Sequence, residues 1–511
     1  MKMTRTRLVA CVALVASTLS ACGMNAGAGG APEGGGGHVV YAEQFAPAAA
    51  WAPETDDAHR LRRAGCLETL LQIGYDGELE PMLATKWKQV EPTTWEFTLR
   101  EGVTFQDGTP MDAEAVAGSL NHLLGVEAPA RAFNPGVIEK VSATGDSTVQ
   151  ITTPKPDAVV PLRVASVNTG ILTPKAFEGR QINIQGTCTG PFTVTEEVPQ
   201  QSLALEANQN YWGGDVALDS AEVRFVEDGA TRTTQLQAGE VHIAKSIPVA
   251  NLMTVEGDSD LEVHQLGLAR TTVMLLNNSR PPFDDPLVRQ AIQKAVDTQS
   301  IVEGVYEGSG QPAVGPFGPD TDFAPDGAER VSADLDEARA LLDQAGVDPE
   351  SLMFELQAYT DRPELPDVAT VIQAQLAELG VKVRIKSGES AGLEPGWLEG
   401  NYDATLLSRG YMTDVADPGG SLLSDWICDG DYNIAHYCDR ETEQMIKDAV
   451  ALEDDAARAE AYREIAAKLQ AEAASVWLLH ENAVWGTQAG LKGFQPHPLD
   501  SYVLTAGLSL G

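Results

Sequence analysis

A β-α-β passage between residues 352 and 385 constrains the fold of this chain more than any other feature. Residues 352–356 and 381–385 have the composition and apolar pattern of strands. Residues 367–379 between them have helical spacing and stop at Gly380. Because such crossovers join parallel strands of one sheet, the passage predicts an α/β fold with parallel strands.

Other segments predict further elements of the same kinds. Alternating apolar residues predict strands at residues 94–99, 202–206 and 221–225. Helices are predicted at residues 112–124, after Asp285-Pro286, at residues 334–345, and at residues 441–474 with a break near Asp454. With 511 residues the chain exceeds the size of one hydrophobic core, so we expect two or more lobes.

The charge of the chain excludes several classes of partner. Lys and Arg number 35 against 74 Asp and Glu, a formal net charge of −39. Nucleic acids and anionic membrane surfaces need a basic patch, so we expect neither as a partner. A solvated acidic exterior explains this charge without any cationic ligand.

The N-terminus has the pattern of a secretory signal. Basic residues precede an apolar run at residues 8–16, which is too short to remain as a spanning helix. LSAC follows the run at residues 19–22; it resembles a bacterial lipobox and makes Cys22 the expected lipid anchor. The alternative is an ordinary signal peptide cleaved nearby, with Cys22 incidental. We interpret residues 1–21 as the signal peptide and the Gly-rich residues 22–37 as a flexible linker.

Four cysteines remain after the signal peptide and Cys22. Export places them in an oxidising compartment, where pairing is the default. Cys428 and Cys438 are separated by nine residues and are expected to close a local loop. A metal site is the alternative, although neither belongs to a C-x-x-C pattern. Cys66 and Cys188 would form the second bridge by elimination.

The sequence contains none of the common catalytic signatures. It has no G-x-x-x-x-G-K-[ST] phosphate loop, no H-E-x-x-H and no G-x-S-x-G. Its eight histidines show no metal-ligand spacing. We therefore predict no catalytic residue, no cofactor and no metal site, although an exported hydrolase remains an alternative.

Several long motifs follow one another in the order of a known family. They are LEPMLATKW at residues 79–87, WEFTLREGVTFQDG at 95–108, TGPF at 189–192, NQNYWGG at 208–214 and PFDDPLVRQAI at 282–292. On these motifs the chain resembles the family 5 extracellular solute-binding proteins, the peptide, nickel and opine receptors of ABC importers. The resemblance extends from about residue 38 to residue 490.

The resemblance implies a type II periplasmic-binding-protein-like fold, with two hinged lobes around the ligand and an inserted accessory domain. The chain would cross between lobes near residues 275–278 and 479–482. The implied segments are residues 38–77, 186–275 and 483–511 for lobe 1, residues 78–185 for the accessory domain, and residues 276–482 for lobe 2.

Ligand residues follow from two matching motifs. In RGYMTDVADP, residues 409–418, Asp414 takes the place of the aspartate that accepts a peptide's ammonium group, and Tyr411 that of an aromatic beside the ligand. In YTDRPELP, residues 359–366, Arg362 takes the place of an arginine that binds the ligand's carboxylate. The structural alternatives are that Arg362 pairs with a neighbouring carboxylate and that Asp414 only starts a turn.

One position departs from the family pattern, and two further observations bear on which branch of the family the chain resembles. Cys188 stands where the family commonly has glycine, which puts its pairing with Cys66 in doubt. The YTDRPELP run and DAEA at residues 112–115 also resemble the nickel and metallophore branch. Residues 164–170 nevertheless lack the arginine that nickel receptors present near this point.

The sequence therefore predicts a monomeric receptor anchored by lipid alone on the outer face of the cytoplasmic membrane, or in the periplasmic space. It would capture short peptides and deliver them to an ABC permease driven by a separate ATPase, without bond chemistry. A nickel or metallophore chelate is the alternative ligand. An exported hydrolase, or an adhesin or signalling receptor on the same scaffold, is the alternative from another class.

Overall fold

The computed structural model describes residues 36–325, 327 and 330–511. The predicted signal peptide, the Cys22 anchor and nearly all of the linker lie outside the described residues. Within the described part of the chain, no helix has the length and apolar character needed to cross a bilayer.

The described residues form nineteen strands. In chain order they are β1 (His38–Glu43), β2 (Leu71–Ile73), β3 (Leu79–Pro81), β4 (Ala84–Glu91), β5 (Thr94–Leu99), β6 (Lys140–Gly145), β7 (Thr148–Thr152), β8 (Phe192–Val198), β9 (Ser202–Ala207), β10 (Ser220–Phe225), β11 (Ile243–Lys245), β12 (Leu261–Leu276), β13 (Gln311–Pro312), β14 (Met353–Tyr359), β15 (Lys382–Gly388), β16 (Ala404–Gly410), β17 (Ser475–Gln488), β18 (Leu491–Lys492) and β19 (Ser509–Leu510).

Thirteen α-helices connect these strands within the same described ranges. They are α1 (Asp57–Arg63), α2 (Ala113–Gly125), α3 (Val160–Arg163), α4 (Gly229–Gln237), α5 (Leu252–Glu256), α6 (Pro286–Ala295), α7 (Thr298–Gly304), α8 (Leu335–Ala345), α9 (Glu364–Leu379), α10 (Ser390–Leu398), α11 (Gly419–Asp425), α12 (Arg440–Val450) and α13 (Asp455–Ala471).

One mixed sheet of eleven strands organises the molecule. Its order is β15-β14-β16-β12-β17-β11-β1-β10-β9-β8, with β13 beside β17. The long strands β12 and β17 pair antiparallel from Leu261–Gln488 to Leu275–Ser475 and connect its two halves. Their register shifts between Gly267 and Thr271 and again between Thr272 and Val273. Such bulges bend a strand locally, so the sheet is irregular where its halves meet.

A separate sheet of four strands, β4-β5-β7-β6, lies within residues 84–152. Helix α2 contacts β6 and buries Val116 and Leu120 in the core of this part. The core of residues 273–479 is distinct from the one that combines residues 39–243 with residues 483–508. These cores accord with the predicted lobes and accessory domain, whose boundaries stay a prediction.

The predicted β-α-β passage is present. Strands β14 and β15 are parallel neighbours, with Met353 opposite Lys382. Helix α9 begins at Glu364, three residues before the predicted start. Leu365 packs into the core, and Pro366 fits the first turn because that turn needs no backbone N–H donor.

Side-chain caps fix the helix starts that the sequence predicts. Asp112, Asp285, Asp334 and Asp454 each accept a hydrogen bond from a backbone N–H in the first turn, at 2.8–3.0 Å. Each such cap contributes about 1 kcal/mol to helix stability. Gly380 ends α9 with φ 102°, a conformation in which a side chain would be strained.

Both expected disulfides are present. Cys66 and Cys188 join chain segments 122 residues apart, with a Cα–Cα distance of 5.4 Å. Cys428 and Cys438 close a loop with a sequence separation of 10. Cys188 therefore pairs with Cys66 although it stands where glycine is common in the family.

Candidate functional site

A cleft of about 1010 Å³ runs along the join between the two halves of the large sheet. The crossing strands form one wall through Leu268–Arg270 of β12 and Glu481–Trp485 of β17. Most other lining residues come from loops and from the ends of elements. They lie within residues 44–73, 162–167, 227–249, 359–364, 410–416 and 497–502.

The lining of this cleft has a different charge balance from the rest of the chain. It includes seven Arg and Lys residues and eight Asp and Glu residues. The whole chain has 35 basic residues against 74 acidic ones. A charge-rich and nearly neutral enclosure fits a ligand that carries both signs of charge, because each buried charge needs a partner.

Arg362 lies in this cleft between β14 and α9, with 39% of its side chain exposed. Its Nη1 donates to Oε2 of Glu481 at 2.9 Å. The alternative from the sequence is that Arg362 pairs with a neighbouring carboxylate, Asp361 or Glu364. The structure pairs it with Glu481 instead. Asp361 instead accepts a hydrogen bond from the backbone N–H of Ser390 at 3.1 Å.

Glu481 is the buried carboxylate of this site, and the sequence analysis missed it. Its Oε1 accepts hydrogen bonds from Thr272 at 2.7 Å and Ser408 at 2.5 Å. Burial alone would raise the pKa of Glu481, but Arg362 and Arg270 outweigh it and hold that pKa below its ordinary value. The carboxylate is therefore ionised and anchors Arg362.

Asp414 also lines the cleft, on the loop after β16. Its carboxylate lies 3.8 Å from Nη1 of Arg131, and both side chains are substantially exposed. Among the described residues this ion pair is the only polar contact of the Asp414 side chain, which therefore does not cap a turn. Burial in the cleft raises the pKa of Asp414, which Arg131 and Arg409 offset only in part.

Tyr411 does not line the cleft with Asp414 and Arg362. Its ring is buried against Phe317, with ring centroids 5.1 Å apart, and its hydroxyl accepts a hydrogen bond from Gly318 N–H at 3.0 Å. It borders a smaller cavity of about 40 Å³. That cavity is also lined by Arg409, Asp425, Trp426, Tyr432 and Trp477. The structure thus brings two of the three predicted ligand residues to one cleft.

Another part of the cleft wall, which includes Arg63, Lys245 and Asp500, is fixed by a buried charged network. Arg63 donates to Glu43 at 2.6 Å, and Tyr41 donates to the same carboxylate at 2.7 Å. Lys245 pairs with Asp500, which also lies 3.6 Å from Arg63. Burial opposes ionisation of Glu43, but Arg63 and Lys245 hold its pKa far below the ordinary value. These residues pair with one another and hold the C-terminal segment against the wall.

His480 lies beside Glu481 on β17 and is held in one neutral form. Its Nε2 accepts a hydrogen bond from Val314 N–H at 3.2 Å. Thr271 donates to the carbonyl of Pro316 at 2.9 Å, so Nδ1 of His480 is the donor to Thr271 at 3.0 Å. Burial lowers the pKa of His480 to about 4. Protonation would remove the acceptor of Val314.

We expect His480 to make the protein less stable in mild acid. Below pH 6.5 His480 is protonated in the unfolded chain but stays neutral in the folded chain down to about pH 4. The free energy of unfolding therefore falls as the pH drops. From pH 7 to pH 5 this loss is about 2 kcal/mol for one such histidine. The His480→Gln variant should show a correspondingly smaller fall in melting temperature over this range. Equal falls in both proteins would contradict the assignment.

Among the described residues, no group of three or more His, Cys, Asp and Glu side chains is placed to hold a metal ion. Several charged side chains of the cleft form ion pairs with other protein side chains, such as Arg362 with Glu481 and Lys245 with Asp500. What the arrangement offers a ligand is charge complementarity and hydrogen bonds.

Comparisons with known proteins give the same fold over nearly the whole chain. The probable D,D-dipeptide-binding periplasmic protein DdpA of Escherichia coli (strain K12) is 28% identical over 453 residues, covering 84% of this chain and 86% of that relative. The nickel ABC transporter structure from Bacillus halodurans is 27% identical, with a TM-score of 0.80. The match covers 93% of this chain and 100% of the Bacillus halodurans chain. AppA from Bacillus subtilis, in complex with a nonapeptide, is 22% identical, with a TM-score of 0.76 and coverages of 94% and 99%.

The fold is therefore that of the type II periplasmic binding proteins, as the sequence predicts. The profile described as bacterial extracellular solute-binding proteins, family 5 Middle, matches residues 78–433, more than half of the chain. The chain belongs to family 5 of the bacterial extracellular solute-binding proteins.

Proposed function

We propose that this protein captures short peptides in the cleft and delivers them to an ABC permease that a separate ATPase drives. The observation that carries the proposal is that Arg362 and Asp414, of opposite charge, line one cleft. A peptide with free ends has a carboxylate for the arginine and an ammonium group for the aspartate. The E. coli relative is named for a dipeptide, which supports this ligand class.

Arg362 can bind a ligand carboxylate while it stays paired with Glu481. Only its Nη1 has a hydrogen bond to another described residue. A guanidinium has five N–H donors in a planar fork, so the others remain for a ligand. The pair with Glu481 fixes the position of that fork, which lowers the entropy lost on binding.

Asp414 can bind an ammonium group only in competition with Arg131. The existing pair is 3.8 Å long and largely exposed, and such pairs contribute at most about 1 kcal/mol. A peptide ammonium enclosed in the cleft would make a shorter, charge-assisted hydrogen bond. We infer that the ligand displaces Arg131 from Asp414.

The proposal also covers where the protein lies in the cell and how it acts there. Cys22, in its lipobox-like motif, would anchor the protein on the outer face of the cytoplasmic membrane or in the periplasmic space. The protein would act as a monomer without enzymatic activity or cofactor, and its lobes would close about the crossing strands β12 and β17.

A nickel or metallophore chelate is the second candidate ligand. The B. halodurans structure is named for nickel, and an arginine binds the carboxylates of a chelate as well as those of a peptide. Metal content measured after gentle purification, together with native mass spectrometry of retained ligand, separates the two. A stoichiometric transition metal with its chelator would replace the peptide proposal.

The Asp414→Asn variant tests the ammonium site. We expect it to weaken binding of a free-amine peptide about tenfold, because it removes a charge-assisted bond at a half-exposed position. Isothermal titration calorimetry measures the change. An N-acetylated peptide, which has no ammonium group, should bind both proteins equally.

Asp215→Asn is the matched control, since Asp215 is an exposed carboxylate outside the cleft lining. Its affinity for the free-amine peptide should stay within about twofold of wild type. If Asp414→Asn leaves this affinity unchanged, or lowers it equally for the acetylated peptide, Asp414 does not bind the ammonium group.

A further inference from the structure

Arg270 is a second arginine beside Arg362 in the cleft. It lies on β12, between Gly267 and Thr271, where the pairing of β12 with β17 shifts register. Its Nη1 donates to the carbonyl and hydroxyl oxygens of Ser408, at 3.1 and 3.2 Å. Within the described residues it has hydrogen bonds but no ion pair.

One carboxylate serves both arginines. The two Glu481 oxygens accept from Thr272, Ser408 and Arg362. Among the described residues, Arg270 bonds to Ser408 and not to Glu481, on which it acts only through space. Burial and the charge of Arg362 together lower the pKa of Arg270, and Glu481 opposes that shift. Glu364, the next carboxylate, acts on Arg362 more weakly than Glu481 does.

The cluster of Arg270, Arg362 and Glu481 therefore carries one uncompensated positive charge. This is unusual in a chain with a net charge of −39. Both arginines are only partly buried, but an uncompensated positive charge in a cleft still favours binding of an anion. One ligand carboxylate would compensate this charge, whereas two would leave an excess of negative charge.

We propose that Arg270 and Arg362 together form the carboxylate site of this cleft, and that the ligand presents a single free carboxylate there. This rests on the proposed function, in which the carboxylate is the C-terminus of the peptide. Arg270 adds a second planar fork to that of Arg362, so two guanidiniums can share the two oxygens.

The position of Arg270 connects this site to the crossing strands. Arg270 and Glu481 lie on β12 and β17, where the register of the pair shifts. Arg362 lies on a different segment, between β14 and α9. A carboxylate bound to both arginines would connect β12 to that segment. It would bind where the two halves of the sheet meet.

The test uses propionate as the probe and propionamide, its uncharged analogue of the same shape, as the control ligand. The melting temperature is measured at constant ionic strength. We expect propionate to raise the melting temperature of wild type more than propionamide does, because binding to the folded state stabilises it. In Arg270→Gln this difference should shrink by more than half, because Arg362 alone remains to bind the carboxylate.

Two further variants show whether a change in Arg270→Gln comes from the lost binding group or from altered folding. Arg270→Lys keeps the charge but not the fork and should retain part of the difference. Arg384→Gln removes an exposed arginine outside the cleft lining, paired with Glu355 at 2.5 Å, and should retain all of it. Equal effects of the two ligands on wild type, or an undiminished difference in Arg270→Gln, would overturn the carboxylate site.

A peptide and its C-terminal amide distinguish failure of this site from failure of the proposed function. Wild type should prefer the free acid by about tenfold or more, and Arg270→Gln should lose most of that preference, with Arg362 keeping the remainder. If wild type binds neither peptide but keeps the propionate effect, the peptide proposal fails and the carboxylate site stands. If it binds acid and amide equally, the carboxylate site fails and peptide binding stands.

Discussion

Replacing both Cys66 and Cys188 with alanine is expected to lower the free energy of unfolding by about 5 kcal/mol. The bridge closes a loop with a sequence separation of 122 residues. Without it, the unfolded chain gains the conformational freedom that this closure removes, and that freedom grows with the logarithm of loop length. Because the loop contains the whole four-stranded sheet, the loss should also loosen that sheet from residues 39–67.

The second disulfide is the matched control. Alanine at both Cys428 and Cys438 opens a loop with a separation of only 10 residues and should cost about 3 kcal/mol. Urea unfolding of the oxidised proteins, followed by fluorescence and circular dichroism, gives both values. An equal or larger loss for the shorter loop would show that chain entropy does not determine the contribution of these bridges.

The ends of several helices could be predicted because the residues that determine them lie within a few positions of the helix in the sequence. Asp112, Asp285 and Asp334 cap the helices that follow them, and Gly380 ends α9. The connection between the halves of the sheet could not be predicted in this way. Strand β12 pairs with β17 across 200 residues or more, from Leu261 with Gln488 to Leu275 with Ser475. Nine of its first ten residues are at least partly exposed, and its last six are all buried, so no single apolar period marks it.

The same distinction holds for the cleft. Motifs located Arg362 and Asp414, but their protein partners come from remote segments. Arg362 pairs with Glu481, 119 residues away, and Asp414 lies near Arg131. A signal for Glu481 was present, since it is the one carboxylate in the largely apolar run VWLLHENAVW. Tyr411 matched its motif, yet packing against Phe317 turns it toward the smaller cavity, which no local pattern reveals.

Glu481→Gln is expected to lower the free energy of unfolding by about 3 kcal/mol. Glutamine can still accept hydrogen bonds from Thr272 and Ser408, so the variant removes mainly the negative charge between Arg270 and Arg362. Breaking a buried ion pair costs about 3–5 kcal/mol, and the lower end applies because Arg362 is 39% exposed. Thermal and urea unfolding measure the loss.

Glu355→Gln is the matched control for this variant. Glu355 pairs with Arg384 and Lys386, whose side chains are exposed, so its loss should cost less than about 1 kcal/mol. Equal losses in the two variants would show that Glu481 is no more than an ordinary surface partner.

A ligand carboxylate should restore part of the stability that Glu481→Gln loses. In the variant, Arg270 and Arg362 have no carboxylate between them, and a bound anion supplies the missing charge. Propionate should therefore raise the melting temperature of the variant more than that of wild type, whereas propionamide should act equally on both. Because binding to the folded state adds stability in proportion to affinity, the excess measures how strongly the two arginines attract an anion. A smaller propionate effect in the variant would mean that Glu481 positions the arginines rather than neutralises them, and that their geometry is lost with it.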